Sequence, residues 1–180
     1  MQPPSLIPYQ YSFLMFRLLL YLILIKIKIT LMFNAAHTHL LVNHFPIILP
    51  FIGVFIVILG LIFKSDLVQR IGLLLFVLTG IAAFISMNTG GNAEHFLERL
   101  DESKEHLMHE HEEVAETFSL IAYILSTISL VAIYLSWKKN KASKIFVGLA
   151  ILGAFILISF SKETGTSGGE ITHLEIRNEK

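Results

Sequence analysis

The chain has 180 residues, 54% of them hydrophobic and only 16% charged, against roughly 45–50% and 25% in an average soluble domain. Its 14 Lys and Arg balance its 14 Asp and Glu, so net charge points to no nucleic-acid partner. It has no cysteine, which excludes disulfides, thiolate metal sites, thiol nucleophiles and covalent c-type haem attachment.

Residues 1–33 form an apolar segment interrupted by Arg17, Lys26 and Lys28. Three readings compete. A signal peptide or anchor lacks a small-x-small site, because residues 27–33 are bulky throughout. A fifth membrane helix is the second. The third, which we favour, places the true start at Met32, since Lys26 and Lys28 otherwise lie on the wrong side for the charge rule.

Residues 34–176 read as one all-α domain, an integral membrane four-helix bundle, with 177–180 as a tail. A spanning helix needs about 20 predominantly apolar residues. Residues 34–63 carry no Lys, Arg, Asp or Glu, and the apolar part begins at Phe45. The same holds for 71–93, apolar to about Met87, for 117–137, and for 145–161. The predicted spans are therefore about 45–63, 71–88, 117–137 and 145–161. Four such runs leave too little polar surface to cover a soluble core. The links at 64–70 and 138–144 are short, which predicts antiparallel neighbours in an up-down bundle. Gly148, Ala150 and Ala154 offer small surfaces for close helix contact in the fourth span.

Lys and Arg in short loops set orientation. Lys64 and Arg70 mark the first link, and Lys138, Lys139, Lys141 and Lys144 the third. These two links are expected to face the cytoplasm across an inner or plasma membrane. All eight histidines then share the other side: His37, His39 and His44 before the first span, His95, His106, His109 and His111 in the middle link, and His173 in the tail.

Pro46 suits a helix's first turn and puts His44 at its mouth. The middle link, 88–116, holds nine acids and two bases, mostly a solvated face. Leu107, His111, Val114, Phe118, Ile121 and Leu125 are nevertheless spaced as one face of a continuous helix. If the third span extends upstream to about Leu107, His111 points along the buried stripe, while His106 and His109 do not. Gly90-Gly91 and the glycine-rich stretch 165–169 read as breaks after the second and fourth spans. The second break is expected to fold the tail, with His173, back over the mouth. Neutral imidazole suits zinc, copper, nickel and haem iron. The candidate ligands, for haem b or a transition metal alike, are His44 and His111, then His39 and His173, with Glu112 and Glu175 as partners that orient a ring.

The pattern His39-x4-His44-Phe-Pro, Thr89-Gly-Gly-Asn-Ala-Glu, His111-Glu-Glu-Val-Ala-Glu and Thr164-Gly-x-x-Gly-Gly-Glu-Ile-x-His173-x-Glu-Ile resembles small bacterial four-helix membrane proteins, the domain-of-unknown-function 2231 family. The resemblance covers about residues 37–176. It falls on His39, His44, His111, Gly168-Gly169 and His173, and departs at Leu40, where that family usually has proline. It implies the same fold and no settled activity.

Three functions follow as expectations. The first is a haem or metal-binding module at the non-cytoplasmic face, serving electron transfer. The second is a structural, assembly or pH-sensing protein without cofactor, in which histidines beside carboxylates titrate near neutrality. The third, a transporter, ranks lower because the spans carry no acid or base at depth. No Ser-His-Asp order, His-Glu-x-x-His pair or phosphate loop is present, so no catalytic residue is assigned. The expected partners are the lipid bilayer, a homo-oligomer or an electron-transfer protein.

Overall fold

The computed structural model describes residues 15, 17–24, 35–98 and 104–173. Met32, Lys26, Lys28, Glu175 and the tail at 177–180 lie outside them. Among the described residues there is no strand. Residues 17–24 are helical, with open side chains. Five helices follow: α1 (Ala35–Val42), α2 (Phe45–Ile62), α3 (Asp66–Glu98), α4 (Glu105–Trp137) and α5 (Ser143–Thr172).

The long helices form an up-down bundle. Consecutive helices pack together, α5 closes the ring against α2, and α1 docks on α3. The core is small and mixed: Val57, Leu73, Phe76, Leu125 and Leu157 are shut away inside. The outer surface is apolar as well, with Phe55, Phe84, Leu120, Leu130, Leu152 and Phe155 all exposed. A water-soluble protein does not tolerate such a contiguous apolar exterior, and a bilayer demands one. Four stretches, Ala36–Ile62, Asp66–Gly91, Glu105–Trp137 and Ser143–Ile171, are long and apolar enough to cross a membrane. The protein is a multi-pass membrane bundle.

Close approach depends on glycines other than the expected one. A Cβ on Gly72 would lie 2.7 Å from the Val57 nitrogen, and one on Gly60 2.5 Å from the Gln69 nitrogen. One on Gly80 would lie 2.5 Å from Ser126 Cβ. Backbones at α2–α3 and α3–α4 thus meet where only hydrogen fits. Ala150 and Ala154 are fully buried, as their spacing suggests, whereas Gly148 has nothing within 4 Å of its added Cβ.

The helices outrun the expected spans. α3 and α4 have 33 residues each and α5 has 30. At 1.5 Å per residue they measure about 45–50 Å, against about 30 Å of hydrocarbon. Their lysine-bearing ends are fixed by the short links, so the surplus emerges at the opposite, histidine-bearing end. The expected breaks at Gly90-Gly91 and at 165–169 do not occur: both stretches are helical, and no described glycine has a positive φ. The continued helix satisfies backbone N–H and C=O groups that a turn would have left for water. The chain therefore does not turn back at 165–169; α5 continues as helix to Thr172, and residues 174–180 lie outside the described ones.

A paired-histidine site at one mouth of the bundle

α1 is short, and its position is set by docking on α3 rather than by its own apolar pattern. That docking brings His39 against α3. His39 Nδ1 lies 3.0 Å from the carbonyl oxygen of Ser86. A carbonyl only accepts, so Nδ1 carries the proton and donates, and the neutral ring keeps its lone pair on Nε2. The ring lies beside Gly90, whose added Cβ would be 3.4 Å from His39 Cε1.

His111 repeats this arrangement between α4 and α5. α4 does continue upstream, to Glu105, so His111 lies on the helix face that leads to buried Phe118 and Leu125. Its Nδ1 is 2.9 Å from Ser167 Oγ on α5. The Ser167 hydroxyl is 3.2 Å from the carbonyl of Thr164 and donates its single proton there. It therefore accepts from His111 Nδ1–H, and Nε2 is again the lone-pair atom. The ring lies on Gly168, whose added Cβ would be 3.0, 3.3 and 3.4 Å from Cε1, Nε2 and Nδ1. Each ring is thus held at Nδ1 by a neighbouring helix and packed against a glycine of that same helix.

The first twelve residues of α4 carry five glutamates and three histidines, and the charge-free span begins only at Thr117. His111 therefore sits above the hydrocarbon, at a height of about 9 Å over that boundary. It is half-buried there. Burial lowers its pKa below the ordinary 6.5, and the nearby His39 charge lowers it further. The direction of the shift favours the neutral form of the His111 ring at pH 7.

The other candidates lie elsewhere. His44 occupies the N-cap of α2, exposed, with no side-chain cap bond. His173 is the C-cap of α5 and is exposed. Glu112 faces His109 at 3.9 Å and not the His111 ring. His106 and His109 pair with Glu110 and Glu113 at 3.6 Å on the open face of α4. Among the described residues no three His, Asp or Glu side chains converge on a metal-sized point. A cavity of about 540 Å³ opens between α4 and α5 beside Ser167, lined by Glu110, Glu113, Glu163, Lys162 and buried Glu170. It gives the His111 side of the mouth a negative surround.

Sequence reasoning missed Ser86 and Ser167, and read Gly90 only as a helix break. A hydroxyl next to a glycine in Ser167-Gly168 is a usable signal only once that stretch is read as helix. No family model matches this chain, and neither a curated protein nor a solved structure is detectably similar to it.

Proposed function

We propose that this multi-pass protein binds haem iron or a transition-metal ion at its non-cytoplasmic mouth through Nε2 of His39 and Nε2 of His111. One observation supports the reading above all: two half-buried imidazoles at the same end of the bundle, each held in the Nδ1–H tautomer by a neighbouring helix. Ligating histidines almost always donate their other ring N–H in this manner, which sets the tautomer and raises ligand basicity. His39 and His111 would supply two imidazole ligands to haem iron, or to a copper, nickel or zinc ion whose remaining ligands would come from water or a partner. With haem bound, the role is one-electron transfer at the membrane face. His44 and His173 are outside the pair in this reading. His39, His111 and Gly168 are among the residues that carry the resemblance to the 2231 family, as are His44 and His173.

The test is the purified protein itself, extracted in mild detergent at neutral pH. Absorption spectra and elemental analysis should show a Soret band or one equivalent of metal per chain or per dimer. Neither, after growth with haem precursor and with added zinc and copper, would remove the proposal.

A second reading, a pH sensor, is supported by the two half-buried rings, each bonded through Nδ1 to a neighbouring helix. A change of charge on such a ring would disturb its contact with that helix. It predicts a reversible structural change between neutral and mildly acidic pH with no metal present.

A further inference from the structure

The other end of the bundle carries a separate signal. α2 ends at Ile62 and α4 at Trp137, and both close with the same motif. Lys64 N–H donates to the Leu61 carbonyl and Ser65 N–H to that of Gly60. Lys139 N–H donates to Ser136 and Asn140 N–H to Leu135 in the same register. This Schellman geometry places its C′ residue in the left-handed region, where glycine is favoured. Both turns have lysine there instead, each at φ 51°.

These two turns and the adjoining helix starts hold Lys64, Arg70, Lys138, Lys139, Lys141 and Lys144 against one acid, Asp66. All five lysines are exposed, and among the described residues none pairs with a carboxylate. Helix dipoles account for part of the set, since cations suit a C-terminus. They do not account for Lys141 and Lys144, which flank the N-terminus of α5, where an acid is favoured and none is present. The first N–H groups of α5 already have acceptors, Asn140 Oδ1 and the carbonyls of Asn140, Lys141 and Ala142, so an external anion would answer the lysines themselves.

The level of the patch identifies the source. Trp137 is 67% exposed and Tyr134 57%, and Lys138 Nζ lies 5.8 Å over the Tyr134 ring. Exposed Trp and Tyr mark the bilayer interface. The lysines therefore stand at headgroup height, on a chain that already sits in lipid.

We propose that this end recruits phospholipids with anionic headgroups, held by Lys138, Lys139, Lys141 and Lys144 together with Lys64 of the adjacent turn. The chain supplies its own reporter, because Trp137 is its only tryptophan. The full protein is reconstituted into vesicles with equal mole fractions of phosphatidylcholine and phosphatidylglycerol, with bromine on the acyl chains of one lipid or the other. Brominated phosphatidylglycerol should quench Trp137 as a lipid enriched about fivefold, the preference that one surface lysine supplies. Raising salt from about 0.1 M to about 1 M, which shortens the Debye length from about 10 Å to about 3 Å, should erase the preference. Inorganic phosphate should do no more than chloride of equal ionic strength. The variant Lys138→Gln, Lys139→Gly, Lys141→Gln, Lys144→Gln should lose the preference, and the matching arginine variant should keep it. Equal quenching by the two lipids in the wild-type protein would overturn the proposal, and this comparison needs no variant to fold. Undiminished preference in the neutral variant, or specific displacement by inorganic phosphate, would overturn it too.

Discussion

Gly168→Ala separates a glycine packed against an imidazole from one with open space beside it. A glycine inside a helix is ordinarily worth replacing, because alanine stabilises the helix by about 1 kcal/mol. Gly91 should behave that way, since its added Cβ meets nothing within 4 Å. At Gly168 the new methyl lies 3.0 Å from His111 Cε1 and within 3.4 Å of both ring nitrogens. The ring must give by a few tenths of an ångström. A shift of that size takes the 2.9 Å Nδ1–Ser167 contact to or beyond the useful limit of about 3.2 Å. Losing that bond costs about 1 kcal/mol, which cancels the helix gain. Thermal unfolding in detergent should therefore show Gly91→Ala stabilised and Gly168→Ala near wild type. Metal affinity, measured by copper(II) titration, should fall about tenfold in Gly168→Ala, the lower bound for disturbing a residue that orients a ligand, and should not change in Gly91→Ala. If Gly168→Ala is as stable as Gly91→Ala and binds copper like wild type, the ring is not seated as described.

Three further outcomes follow. Ser167→Ala leaves His111 Nδ1–H without its acceptor, and should destabilise by about 1 kcal/mol and shift the ring's tautomer, seen as a change in its nitrogen NMR shifts. Because the His111 pKa is depressed in the fold, the unfolded chain binds more protons below the ordinary value of 6.5. Its contribution to stability is then full above pH 6.5 and declines as pH falls through the lower folded value. The wild-type minus His111→Asn difference in unfolding free energy should show that slope, and the opposite slope would contradict the burial assigned to the ring. Gly72→Val drives a branched side chain into the Val57 backbone and should destabilise by about 2–3 kcal/mol or more, whereas Gly148→Val should be nearly neutral. Equal effects at the two glycines would contradict the α2–α3 packing.

The spans were legible because charge-free runs of membrane length admit few other structures. Their ends were not. Gly90-Gly91 and Gly168-Gly169 look like stops, since glycine commonly follows a helix. Nothing local reveals that an imidazole from another helix occupies the space beside Gly90 or Gly168. The stripe through Leu107, His111 and Phe118 did locate His111, because helical periodicity survives beyond the bilayer. His39 was harder. Its partner is a main-chain carbonyl, Ser86, which every sequence possesses, and the docking of α1 that aligns the two is tertiary. His44 drew notice through its Phe-Pro neighbours, a helix-start signal that places a residue at the mouth without turning it inward.

The proposed pairing of His39 with His111 is tested most directly by electron paramagnetic resonance of the metal-free protein loaded with one equivalent of copper(II). Nitrogen couplings should report two equatorial imidazoles in the wild-type chain. They should report one in His39→Ala and one in His111→Ala, and still two in His44→Ala and in His173→Ala. A spectrum that ignores both His39→Ala and His111→Ala, or that loses an imidazole with His44→Ala, would contradict the pair.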